Sequence, residues 1–281
     1  MSIKRFALFV FLAAGLIAIS GVVAQRNTFR GGRDFEWQQL GRNGVPDWSS
    51  DGHFESDVFT FVRVKYDSHG YGHGGGWATD FRDCELNFSL RLQQLTSLKV
   101  NPEPIVLELT DPDLFDFPFI YIIEPGALFF RPDEVTALRR YLLNGGFLMV
   151  DDFWGEMEYN NFYEQIKRVF PDREPEEVPL SHEIFHCVYD LPQKPQIPSI
   201  NVAHWGQRQG ITWEPRPTDT STPHYQAIKD NNGRIMIFIC HNTDLGDGWE
   251  REGDNQWYFE EFSVKKAYPL GINIVTYAMT H

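Results

Sequence analysis

Three groups of acidic residues fall directly after apolar runs of strand character. Asp111 and Asp113 follow "IVLEL" (105–109). Asp151 and Asp152 end "FLMVDD" (147–152), with Trp154 and Glu156 close behind, and His241, Asp244, Asp247, Trp249 and Glu250 follow "RIMIFICH" (234–241). In parallel α/β sheets, ligands bind beyond the carboxyl ends of the strands. If these runs lie parallel, the three groups share one rim, suited to a hard cation, a cationic group or sugar hydroxyls. Asp151 or Asp152 is then a candidate general base, and His241, Asp244 and Asp247 are candidate ligands of an assisting divalent cation. The competing reading is that aspartates cap turns at such places, as at Asp111-Pro112.

Other motifs offer less. "HEIFH" (182–186) matches the zinc-protease pattern, which needs both histidines one turn apart on a sustained helix. Pro179 and Pro192 bound the run, and Ile184, Phe185, Val188 and Tyr189 read as a small buried face behind a Ser181 cap. A zinc protease is therefore not expected. In "HGYGHGGGW" (69–77), Gly70, Gly72 and Gly75 have the spacing of a dinucleotide fingerprint. That motif needs its first glycine directly after the strand and its third inside the helix. Here Asp67, Ser68 and His69 intervene, and the expected helix cap, Thr79, lies beyond the last glycine. His69 and His73 alone make no metal site, so the loop's expected role is to deliver Trp77 and Asp80 to the rim. No G-x-S-x-G is present, and no cysteine sits in a glycine-flanked strand-to-helix elbow, so no nucleophile stands out.

Alternating and β-branched residues predict a strand over 57–66. Phe81, Cys84, Phe88, Leu92 and Leu95 recur at helical spacing after Thr79. "FIYII" (119–123) is a buried strand. Pro132, the stripe Val135, Leu138 and Leu142, and Asn144-Gly145-Gly146 mark a helix from start to stop. A helix is expected over 161–170, and "PLGINIVTYAMT" is expected to close the chain as another. Pro171 to Pro223 reads as irregular apart from one helical turn near Ser181, and "DLGDGWE" as a loop. The succession argues for a mostly parallel sheet covered by helices.

Lys4 and Arg5, the apolar run Phe6–Ile19, and small residues at Val22 and Ala24 have the form of a secretory leader cleaved after Ala24. The expected organisation is a signal peptide over 1–24, an irregular lead-in over 25–56 and a single α/β domain over 57–281. The expected location is periplasmic or extracellular, with membrane attachment only if the leader is retained as an anchor. The formal net charge of −14 disfavours nucleic acid and anionic lipid as partners. Cys84, Cys187 and Cys240 are too few for a disulfide framework, though one pair could form outside the cytoplasm. No cofactor is expected beyond a divalent cation. The candidate partners are a small molecule, a sugar or an envelope protein.

Several stretches in order resemble a bacterial family, domain-of-unknown-function family 4159. They are "WATDFRDCELNFSLRLQQLTSL" from Trp77, "LTDPDLFDFPFIYI" from Leu109, "LRRYLLNGGFLMVDDFWG" from Leu138, "FYEQIKRVFPDREPEEVPLSHEIF" from Phe162, "HNTDLGDGWE" from His241 and "GINIVTYA" from Gly271. The resemblance covers about residues 57–280 and implies a class I glutamine-amidotransferase-like fold, a flavodoxin-like three-layer α/β/α sandwich. Enzymes of that type place a catalytic cysteine after the strand matching "GGFLMV". Asp151 and Asp152 stand there in this chain, which argues against glutamine hydrolysis. The resemblance brings no assigned reaction. The expectation is an exported envelope protein with a non-catalytic ligand-binding or interaction domain; the alternative is a hydrolase using the acidic rim.

Overall fold

Phe119–Ile123, Phe147–Asp151 and Ile235–His241 are buried at every position. Strands covered on both faces read as continuous apolar runs, and these form the middle of the sheet. The computed structural model describes residues 44–49, 58–69 and 76–281. The proposed leader, most of the lead-in and His73 lie outside the described residues. Among the described residues, no helix is long and apolar enough to cross a membrane.

In chain order the elements are β1 (Val62–Lys65), β2 (Asp67–Ser68), α1 (Asp83–Leu95), β3 (Ile105–Glu108), β4 (Phe119–Ile123) and β5 (Leu128–Phe129). They continue with α2 (Pro132–Leu143), β6 (Phe147–Asp151), α3 (Gly155–Val169), β7 (Glu176–Glu177) and α4 (Ile200–Gly206). The chain closes with β8 (His224–Lys229), β9 (Ile235–His241), α5 (Leu245–Glu250), α6 (Gln256–Tyr258) and α7 (Tyr268–Thr280), the last two joined by a π-wound stretch. The seven-stranded sheet has the order β3-β1-β4-β6-β9-β8-β7. β3, β1, β4, β6 and β9 are mutually parallel; at one edge β8 pairs antiparallel to β9 and β7 antiparallel to β8. Across the sheet the parallel strands, counted in chain order, stand second, first, third, fourth, fifth, the doubly wound flavodoxin-like order. The direction of winding reverses between β1 and β4.

Side-chain alternation sorts the core into two layers. Phe119, Tyr121 and Ile123 of β4 join Phe88, Trp249 and Leu270 under α1, α5 and α7. Ile120 and Ile122 join Leu138, Phe162 and Ile166 under α2 and α3. The result is a mostly parallel sheet covered by helices, as the residue pattern predicts, in the three-layer α/β/α arrangement that the family resemblance implies.

Several local expectations are corrected. α1 begins at Asp83 rather than after Thr79, whose hydroxyl is donated to Glu124 instead. "DLGDGWE" is not a loop but supplies α5. The stretch expected to be irregular contains α4, capped by Ser199, and β7; the antiparallel β8 begins just beyond it. All three cysteines are free.

Candidate functional site

The carboxyl ends of β1, β4, β6 and β9 open onto a cluster of carboxylates. Glu124 follows β4, Asp151 ends β6 and Asp152 follows it, Asp244 follows β9, and Asp247 and Glu250 come from α5. Asp80 arrives from the connection between β1 and α1. Among the described residues, the non-glycine positions with positive φ are Asp80 (58°), Glu124 (48°), Asp152 (56°) and Asn242 (60°), all on this rim. Left-handed backbone at bulky residues costs energy and persists only where the surroundings fix it. Here neighbouring strand ends are stitched together: Glu124 N–H donates to Asp151 O at 3.1 Å and Asn242 N–H to Phe153 O at 3.0 Å.

Two charged side chains build the segment that carries Asp80. Arg63 of β1 is fully buried, donating to Glu85 Oε1 (2.6 Å) and to the carbonyls of Trp77 (3.0 Å) and Thr79 (2.9 Å). Its guanidinium lies 4.9 Å from the Tyr121 ring centroid. From the other side, Glu124 Oε2 accepts from Gly76 N–H (2.6 Å) and Thr79 Oγ1 (2.7 Å). The chain from Gly76 to Asp80 is thus clamped from both strands flanking the switch point.

α5 is held by the carboxylates beneath it. Asp151 Oδ2 accepts from Leu245 N–H (2.8 Å), Gly246 N–H (3.0 Å) and Tyr121 Oη (3.0 Å), and Asp244 caps the helix by accepting from Asp247 N–H (2.7 Å). At the start of α3, Trp154 N–H donates to Glu158 (2.7 Å), Gly155 N–H to Asn242 Oδ1 (2.9 Å) and Glu156 N–H to Thr218 Oγ1 (2.9 Å). A helix N-terminus ordinarily attracts anions through its unpaired amides. At both helices those amides are engaged by the protein itself.

What remains on offer is acceptor capacity. Oxygens of Asp80, Asp247 and Glu250 lie within 4.8 Å of one another. Asp80 Oδ2 is buried with no hydrogen-bond partner, as is Asp151 Oδ1. Burial, reinforced by Asp247, pushes Asp80 up to about 7, with Arg251 and Arg63 pulling it back. Burial likewise carries Glu124 up to about 8 against the donors from Thr79 and Gly76, and Asp151 up to about 7 against those from Gly246 and Tyr121. Asp152 is raised by burial and by Glu124, Asp80 and Asp151. Asp244 is raised by burial and by Asp152, Asp247, Asp80 and Asp151, carboxylates that come from β6, from α5 and from the connection between β1 and α1. Concentrated negative charge with oxygen donors alone is the chemistry of a Ca²⁺ or Mg²⁺ site.

The rim therefore brings together Asp80, Asp151, Asp152, Asp244, Asp247 and Glu250. Trp154 joins them through its indole N–H, which donates to Asp152 Oδ1 at 2.9 Å. Trp77 lies half-buried beside Phe81 and contributes its carbonyl to Arg63. Other candidates stand apart. Asp111 closes its own turn by accepting from Glu108 N–H at 2.7 Å. Trp249 is buried in the core, 4.6 Å from the Phe88 ring centroid. His241 continues the parity of Ile237 and Ile239 and so faces α3, its ring 4.9 Å from those of Phe153 and Tyr159. Burial lowers it to about 4, and α5, which carries Asp247, packs its Leu245 and Trp249 into the opposite layer. In "HEIFH" only Glu183–Phe185 turn, as a 3₁₀ helix; His182 caps it and His186 bonds Asp190 and Leu180.

Glu124, Arg63 and Arg251 are additions from the structure. Glu124 directly follows "FIYII", so the rule that selected the other strand ends also points to it. A lone arginine within a strand gives no comparable signal. No curated protein matches the sequence. The model of the family described as Domain of unknown function (DUF4159) matches residues 60–279, and the chain belongs to that family.

Proposed function

We propose that this is an exported domain of the bacterial cell envelope that holds a hard divalent cation among Asp80, Asp247 and Glu250 and uses it to bind an oxygen-bearing ligand, such as a sugar or a small molecule. One observation carries the reading: these carboxylate oxygens converge within 4.8 Å while Asp80 Oδ2 is buried without a donor. A buried carboxylate oxygen lacking a partner is costly, and a cation supplies the missing interaction. Asp152 and Asp244 add to the negative potential there, each influencing or influenced by Asp80. Calorimetric titration of the protein with CaCl₂, MgCl₂ and MnCl₂ tests it. Saturable binding that Asp80→Asn and Asp247→Asn each abolish is the expected result, and heat no different from buffer would refute it. Export is supported by Lys4, Arg5 and the apolar run ending before Ala24. It is checked by cell fractionation and by a mature N-terminus at Gln25.

A second reading, a hydrolase with Asp152 as general base, is favoured by one feature. Asp152 stands in left-handed backbone on a strand-to-helix turn, where an exposed reactive group is commonly mounted. Burial and its acidic neighbours Glu124, Asp80 and Asp151 raise its proton affinity, the direction a carboxylate base needs. Asp152→Asn should then abolish turnover while leaving cation affinity in place. Hydrolysis that survives this substitution would remove Asp152 from the chemistry.

A further inference from the structure

Arg251, which caps the end of α5, places a positive charge against the same carboxylates. Its Nε lies 3.2 Å from Asp247 Oδ1 and its Nη2 lies 2.7 Å from Glu250 Oε2. Its Nη1 is 3.6 Å from Asp254 Oδ2, at the outer edge of the group. The other oxygen of Asp247 is already committed, since Oδ2 accepts from Ile200 N–H at 2.7 Å at the start of α4. The lone pairs that Asp247 could give to a cation are therefore those now turned toward Arg251. Arg251 hydrogen-bonds Asp247, whereas Glu250 Oε2 meets it as an ion pair without hydrogen-bond geometry, and Asp80 Oδ2, the third corner, accepts no hydrogen bond.

We infer that Arg251 is an internal counter-ion that a divalent cation must displace from Asp247 and Glu250. This rests on the cation-site reading above. Three features make the exchange feasible. The arginine side chain is one-third exposed and can swing outward without disturbing the core. Asp254 gives the released guanidinium an acidic neighbour at the rim. A guanidinium is broad and planar, so it forks across two carboxylates but does not reach Asp80 Oδ2, whereas a small dication could lie between all three. The arginine then sets a threshold for loading: it lowers mutual repulsion in the cation-free protein and weakens cation affinity by the same interaction.

The bland alternative is a helix-terminal arginine that only stabilises the C-terminus of α5. The two differ in the sign of one measurement. Wild type, Arg251→Gln and Arg251→Lys are titrated with CaCl₂ by calorimetry, with Asp80→Asn as the site-null control. Displacement predicts that Arg251→Gln binds Ca²⁺ about tenfold more tightly, within the usual range of coupling between sites. Arg251→Lys, which keeps the charge but loses the fork, should fall between Arg251→Gln and wild type. Arg251→Gln should also melt lower than wild type without Ca²⁺ and gain more from its addition. Equal or weaker binding by Arg251→Gln, with wild type still binding, would overturn the exchange and leave the cation site standing. Binding by neither protein would overturn both. A purely structural cap would lower the melting temperature of Arg251→Gln without tightening Ca²⁺.

Discussion

Asp80 shows how one residue can be well placed and still incompletely bonded. A Cβ added at Gly246 would come within 2.8 Å of its Oδ2, so the carboxylate lies directly against the first turn of α5. Raised carboxyls of this kind bind their protons more tightly in the folded chain than in the unfolded one. Their contribution to stability is full below the unfolded value of about 4 and is lost as pH rises through the folded value. With Asp80 and Asp151 near about 7 and Glu124 near about 8, the cation-free protein should lose stability steadily from pH 5 to pH 8.5. Melting temperatures across that interval, in buffer containing a chelator, check the direction, and a rise with pH would contradict it. Sequence position identified Asp151 because it ends an apolar run and Asp80 because it follows the glycine loop, but not which way each one faces, and it left Glu124 unnamed. His241 ends a strand as Asp151 does, yet strand parity sends it to the opposite layer.

α5 is the element least legible from residue types and the one on which the site depends most. Its glycines and aspartates read as loop material because each disfavours a helix interior. The glycines are instead required by close packing, since a Cβ at Gly248 would come within 2.5 Å of the Ala267 Cβ. The aspartates are required by capping: Asp244 closes the first turn from above and Asp151 from below. Tertiary partners supply what local propensity lacks, whereas β4, β6 and β9 were readable because burial on both faces leaves an unbroken apolar run. Asp151 should therefore act first as a staple for α5. Asp151→Ala strands two buried backbone amides and should cost about 2–6 kcal/mol, given about 1–3 for each unsatisfied donor. Asp151→Asn retains an acceptor oxygen and should cost well under half of that. Urea denaturation of the two variants measures the difference, and equal losses would argue against the staple.

Across the whole molecule, topology and charge converge on one region. The sheet reverses its winding between β1 and β4, and ligands of doubly wound folds collect at that crevice. The succession of strands and helices was enough to anticipate a mostly parallel sheet covered by helices, but the edge strands β8 and β7 were not anticipated, because they border or lie within a proline-rich stretch of weak pattern. In many such folds the crevice is a phosphate site, because helix N-termini there offer free amides. In this protein Asp151, Asp244, Asn242, Thr218 and Glu158 occupy those amides, and the net charge of −14 repels anions further. A binding partner that prefers the folded state stabilises it by RT ln(1 + [L]/Kd), about 2.7 kcal/mol at a hundredfold excess over Kd. For a chain of this size each kcal/mol is worth about 2–4 °C, so saturating Ca²⁺ should raise the melting temperature by about 5–10 °C. Inorganic phosphate at the same concentration should give no comparable rise, because its natural donors are already spent. Melting curves with calcium chloride, sodium phosphate and sodium chloride at matched ionic strength separate the two cases. Stabilisation by phosphate alone would reassign the crevice to anions and take the carboxylate cluster out of the binding function.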